Sequence, residues 1–145
     1  MPCCATPLAK LRFLPPLFRK YLFVLALFLS VSPAGKAADA QKGEEIYGRC
    51  LACHALAYDR VGPHHCGLIG RKAGSVPGFS YSPAMKRSGL TWNEKTLNRF
   101  LKNPPAAVPG TTMTYAGIPD AKERADLIAY LKSVNGTDAC PKPSK

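Results

Sequence analysis

The pentapeptide Cys50-Leu51-Ala52-Cys53-His54 constrains this chain more than any other stretch. Two cysteines three residues apart on a helix lie on one face. Their thiols can add across the two vinyl groups of a haem. The histidine that comes next can bring its imidazole under the ring to the iron. The spacing is the attachment signature of a c-type haem. So short a pattern also suits half of a zinc site or a thiol–disulfide motif, and context has to choose among them.

The 145 residues suffice for one domain, but the first part does not read as domain. Lys10, Arg12, Arg19 and Lys20 precede an uncharged apolar run, Tyr21 to Val31, and small residues come after it from Ser32 to Ala38. This is the order of a secretory signal peptide. It assigns residues 1–38 to a leader and 39–145 to the mature domain, with cleavage after Ala37, Ala38 or Ala40. Export to the periplasm is the expected fate. The apolar run is short for a membrane span, and an uncleaved anchor is the competing reading. Cys3 and Cys4 leave with the leader.

From Asp39 onward 107 residues remain, few for a core built from protein alone. A buried haem would supply the missing apolar surface. Five of the twenty basic residues fall in the leader, leaving fifteen against nine acids, a net +6. The basic residues are spread out and the chain is exported, which argues against nucleic acid. A mildly basic face for docking a redox protein fits better, including transient docking at membrane-bound complexes. The chain is expected to be a monomer. Of the four cysteines that remain, Cys50 and Cys53 serve the haem. Cys66 and Cys140 either form a disulfide, favoured in an oxidising compartment, or stay as two free thiols.

Helical periodicity and capping signals predict three main helices. The first runs from Asp39 to Ala52, with Ile46 and the cysteines at helical spacing. Tyr58 to Tyr81 is rich in Gly and Pro and reads as loop. Ser82-Pro83 opens a short helical turn. Thr91 with Glu94 is a capping-box pattern for a helix from Trp92 to Lys102, stopped by Pro104-Pro105. Ala106 to Pro119 is loop. Asp120 with Glu123 caps a last helix to Ser133, with Leu127, Ile128, Tyr130 and Leu131 on its buried side. The strand signal is weak. The expected fold is all-α, a small domain of helices and loops wrapped around one covalently bound haem c.

A second iron ligand is sought among Met85 and Met113. Met113 lies just after Pro109-Gly110, which bends the chain and can aim the side chain inward, 59 residues beyond His54. Met85, in Ser82-Pro83-Ala84-Met85, reads as packing. His64 and His65 are rivals, but they lie close to the haem motif and suit the surface or a loop hydrogen bond. A His54–Met113 pair would raise the haem potential and fill the sixth position, which suits electron transfer.

With these motifs in order, the sequence resembles the soluble class I cytochromes c, especially the mitochondrial-like bacterial members. The resemblance spans Gly43 to Leu131. It is carried in order by Lys42-Gly43 with Ile46-Tyr47, the Cys50–His54 motif, Gly62-Pro63, Gly67-Leu68-Ile69-Gly70-Arg71-Lys72, and Pro77-Gly78-Phe79-Ser80-Tyr81. Leu90-Thr91-Trp92, Pro109-Gly110-Thr111-Thr112-Met113 with Ala116-Gly117-Ile118, and Glu123 to Leu131 complete it. It implies that the Pro63 carbonyl accepts a hydrogen bond from His54. Arg71, Tyr81 and Trp92 would donate to the haem propionates, with Thr111 near the propionates and the methionine loop. Gly43 and Tyr47 would pack against Leu127 and Tyr130 where the first and last helices cross.

The chain also departs from these relatives. After Gly-Pro they often carry Asn-Leu-His; here His64-His65-Cys66 stands, which puts an apolar haem contact at His65 in question and introduces a cysteine that Cys140 can satisfy. Met85 replaces an inward Asn and Phe100 a Tyr. The lysines usual beside the axial methionine are Pro105, Ala106 and Thr112 here, with Arg49, Lys72, Lys86 and Arg87 as partial compensation. The reading is a periplasmic monohaem electron carrier, not an enzyme. A haem subunit of a larger oxidoreductase, or a ligand-binding haem protein with a labile methionine, are the alternatives.

Overall fold

Asp39 opens the first helix, because its carboxylate accepts from the backbone N–H groups of Gln41 and Lys42 at 3.0 and 3.3 Å. A computed structural model describes residues 37–140. The expected leader, with its apolar run and Cys3 and Cys4, lies outside the described residues. The helices are α1, Ala40–Tyr47; α2, Pro83–Arg87; α3, Glu94–Lys102; α4, Pro104–Ala107; and α5, Ala121–Ser133. A 3-10 turn, Gly48–Cys50, continues α1. Among the described residues there is no strand, and a single bridge joins Lys72 to Thr91. No described helix is long and apolar enough to cross a membrane.

Three boundaries differ from expectation. The first α-helix ends at Tyr47 rather than Ala52, and the haem motif is carried by the tighter turn after it. The third helix is capped by Asn93, not Thr91: the Asn93 side chain accepts from the Thr96 N–H at 3.0 Å, and Thr96 Oγ1 accepts from the Asn93 N–H at 2.9 Å. Thr91 instead offers its carbonyl to the Thr96 hydroxyl. That helix stops before Pro104-Pro105 as expected, but Ala106 does not begin a loop. Asn103 caps a further turn there, accepting from the Ala106 N–H at 3.0 Å, since proline at the first helical position needs no hydrogen-bond acceptor.

The last helix has the expected limits, with Asp120 accepting from the Glu123 N–H at 2.7 Å. Leu127, Ile128, Tyr130 and Leu131 are buried as expected, and so are Arg124 and Asp126. A buried cation requires partners. Arg124 finds them in Asn98 Oδ1 and the carbonyls of Ile118 and Pro119, each at 2.7 Å, and so holds the 111–120 segment against α3 and α5.

The crossing of α1 over α5 is the main helix–helix contact. It depends on Gly43, where any side chain would strike the Asp126 carbonyl and the Tyr130 Cβ. Tyr47 and Tyr130 pack with ring centroids 5.3 Å apart. Cys66 and Cys140, 74 residues apart in sequence, are joined by a disulfide with Cα atoms 5.2 Å apart. It ties the loop after the haem motif to the end of the described chain.

Candidate haem site

Cys50 closes the 3-10 turn, and the chain keeps turning through His54. The His54 N–H donates to the Cys50 carbonyl at 2.9 Å, and the Cys53 N–H donates to the same oxygen at 3.1 Å. Both thiols and the His54 ring therefore emerge from one helical turn onto one cavity. Cys50 is half-buried and Cys53 exposed, and neither is in a disulfide. Burial pushes the Cys50 thiol up to about 11, opposed by Arg49 and reinforced by Cys53.

The His54 ring is fixed by the loop that leads to Pro63. Nδ1 lies 2.7 Å from the Pro63 carbonyl. A carbonyl has no proton to give, so Nδ1–H is the donor and Nε2 keeps its lone pair free for a metal. Burial, the larger influence, lowers the His54 pKa, and the Pro63 bond raises it. Gly62 lies against the same ring. A Cβ there would fall 2.3 Å from His54 Cε1, so a side chain at 62 would displace the imidazole.

The 111–115 segment forms another part of the cavity, with Thr111 and Met113 lining it. Thr111 Oγ1 accepts from the Met113 N–H at 3.3 Å. Met85 also lines the cavity and is buried in the core around Leu97, Phe100 and Leu101. Two thioethers therefore face the space that also receives His54.

Arg71, Tyr81 and Trp92 all line this cavity. Arg71 is half-buried, and burial lowers its pKa. Among the described residues it forms no ion pair. Two of its nitrogens donate to the carbonyls of Cys66 and His64 at 2.9 and 2.7 Å. A desolvated guanidinium without a carboxylate is suited to a carboxylate-bearing ligand. Burial pushes the Tyr81 phenol up. Trp92 is buried with its ring 5.0 Å from Phe100. Free thiols, an imidazole with its Nε2 left open, apolar walls and an unpaired cation make a donor set that fits a covalently held haem.

His64 and His65 take different places. The His64 backbone N–H donates to Asp59 Oδ1 at 2.8 Å, and with the His64 ring 2.7 Å from the same oxygen it holds the Asp59 carboxyl below its ordinary range. His65 stacks on His54, with ring centroids 4.3 Å apart and planes at 22°. Burial first, then the His54, Arg71 and His64 charges, depress His65 to about 3 and keep it neutral. That stack is not legible from local sequence, because it needs the 55–65 loop to fold back on the motif. Phe79 and Tyr115 also line the cavity, and no local sequence signal marks them for it; the edge-to-face pair Phe79–Tyr81, 4.7 Å apart, places the former. Arg49 does not offer a free docking charge. It forms a two-pronged ion pair with Glu123 at 2.7 and 3.0 Å. Lys72, Lys86 and Arg87 remain exposed.

Comparison with known proteins agrees with this geometry. The cytochrome c family profile matches residues 40–135. Cytochrome c2 of Blastochloris viridis is 46% identical over 117 residues, covering 79% of this chain and 90% of that protein. Cytochrome c2 of Rhodomicrobium vannielii is 45% identical over 120 residues, covering 81% and 96%. The solved structure of cytochrome cH from Methylobacterium extorquens superposes with a TM-score of 0.65 at 44% identity, covering 66% of this chain and 99% of that one. The chain therefore belongs to the cytochrome c family, all-α electron carriers rather than enzymes, with one covalently attached haem c.

Proposed function

We propose that this protein is an exported, periplasmic one-electron carrier in which His54 Nε2 and the Met113 thioether hold the iron. The Cys50 and Cys53 thiols form the thioether links. When bound, the haem supplies a ferric–ferrous couple of raised potential, because a soft thioether favours ferrous iron. The observation that carries this reading is the His54–Pro63 hydrogen bond. It commits Nε2 to accept a metal at the wall of a cavity that Met113 also lines. Arg71, Tyr81, Trp92 and Thr111 receive the propionates, with Arg71 supplying the charge. With His54 and Met113 both holding the iron, small ligands would be kept off it and the bound haem would supply one-electron transfer.

Residues 1–38 serve as a cleaved leader in this reading. Processing ahead of Asp39 preserves the cap of α1 and the bond from the Asp39 N–H to the Asp126 carboxylate at 2.6 Å. Cleavage after Ala40 would remove both. The partners are redox proteins that dock transiently at the rim of the site, where Val61 is exposed and the nearest cation in sequence to the motif, Arg49, is already neutralised by Glu123.

The decisive experiment is the optical spectrum of native protein, oxidised, reduced, and reduced under carbon monoxide. A low-spin c-type spectrum unchanged by carbon monoxide is expected. A spectrum that shifts with carbon monoxide would replace the carrier reading with ligand binding at a labile sixth position.

A further inference from the structure

A single hydrogen bond leaves a ring free to tilt about its donor atom. The bond from His54 Nδ1 to Pro63 fixes where one nitrogen points, yet it does not by itself fix the plane of the imidazole. Gly62 packs against this ring, and a flat group over the ring constrains the plane further. His65 does this here, 4.3 Å away and within 22° of parallel. That geometry is a near-parallel stack of two π systems.

His65 is itself held from several sides. Its Nδ1 pairs with the Tyr47 hydroxyl at 3.1 Å, and the Tyr47 ring meets it edge-on at 5.6 Å. Its backbone N–H donates to the Ala55 and Leu56 carbonyls at 3.1 Å. The residues on either side are anchored by the two Arg71 bonds, and Cys66 is joined to Cys140. The segment that carries His65 is thus tied to the motif, to α1 through Tyr47, and to the chain end. A ring held this firmly can hold another.

We propose that His65 is a positioning residue that sets the plane of the His54 imidazole and keeps it in one orientation. The proposal rests on His54 being the iron ligand. An axial imidazole with one orientation gives the iron one electronic environment in both redox states, so little rearrangement accompanies electron transfer. Aligned second partners of metal-bound histidines act in the same general way.

The test is proton NMR of the haem-loaded ferric protein. The paramagnetically shifted haem methyl resonances spread and order themselves according to the plane of the axial imidazole. His65→Leu removes the flat partner and should narrow the spread or reorder these resonances. His65→Phe keeps a ring over His54 and should stay closer to the parent pattern. Loss of packing alone would lower the melting temperature of both variants without separating their methyl patterns. An unchanged pattern in His65→Leu, or equal changes in Leu and Phe, overturns the proposal. If His65→Leu does not fold, Tyr47→Phe carries the test: it releases Nδ1 of His65 and should shift the same resonances less, and no shift overturns the proposal. The wild-type spectrum separates this from the ligand assignment. Strongly shifted His54 ring protons establish His54 on the iron, and their absence defeats that assignment whatever the variants show.

Discussion

Gly43 and Asp126 meet backbone to backbone: a Cβ built on Gly43 would sit 2.0 Å from the Asp126 carbonyl oxygen and 2.7 Å from the Tyr130 Cβ. The obstacle is a helix backbone, which cannot swing aside as a side chain tip would. Gly43→Ala gains about 1 kcal/mol in helix propensity. It must also push α1 away from α5, and overpacking of this kind costs about 1–3 kcal/mol or more. Because the clash is with backbone, the cost should prevail, with a net loss of up to about 2 kcal/mol or more in urea unfolding. An equal or higher midpoint would show that the crossing relaxes.

Met113→Ala should leave the haem attached, because Cys50 and Cys53 are untouched, while opening the sixth position. Carbon monoxide binding to the reduced protein and a lowered potential are the expected readouts. Met85→Ala, which removes a buried side chain of the core, should cost about 2–5 kcal/mol of stability and leave carbon monoxide excluded. The reverse pattern would make Met85 the ligand.

The Cys66–Cys140 bridge closes a long loop. Its removal by Cys66→Ser should lower stability by about 2–4 kcal/mol. Alkylation of the native, unreduced protein should label neither sulfur. Labelling of both would show that the bridge is absent in solution.

Asp126 is a buried carboxylate held by Lys122 at 2.5 Å and by the Asp39 N–H at 2.6 Å, and these bonds keep its pKa below the usual range. A depressed carboxylate contributes stability that is complete above its unfolded value, about 4. That contribution is lost as pH falls through the lower folded value. Acid unfolding should therefore start below about pH 4, and Asp126→Asn should flatten the stability–pH curve in that window while lowering stability at neutral pH. An unaltered acid limb in the variant would assign acid sensitivity elsewhere.

Intact-mass analysis of native protein should place the first residue at Ala38 or Asp39. A chain that starts at Gln41 would lack the Asp39 cap and its bond to Asp126, and an intact Tyr21 to Val31 segment would mean an uncleaved anchor.

Much of this molecule was legible in local sequence. The Cys50–His54 spacing dictates the haem, since the two thiols and the imidazole must share one turn. Asp120 with Glu123 marks the start of α5 to the residue, because capping is decided by neighbours within one turn. Proximity to a competing cap defeated the same logic at α3, where Asn93 prevailed over Thr91 through its bond to Thr96. What required the tertiary structure was everything set by loops returning on themselves. Gly62 and Pro63 reach His54 across nine residues or fewer, but the direction of approach depends on the Gly62 N–H bond to the Cys53 carbonyl at 2.7 Å. The His65–His54 stack, the Arg49–Glu123 pair and the nearness of Cys66 to Cys140 join residues 11 to 74 positions apart. No local preference encodes such contacts. The Arg49–Glu123 pair follows from the crossing of α1 over α5 at Gly43, and the stack from the return of the 55–65 loop on the motif.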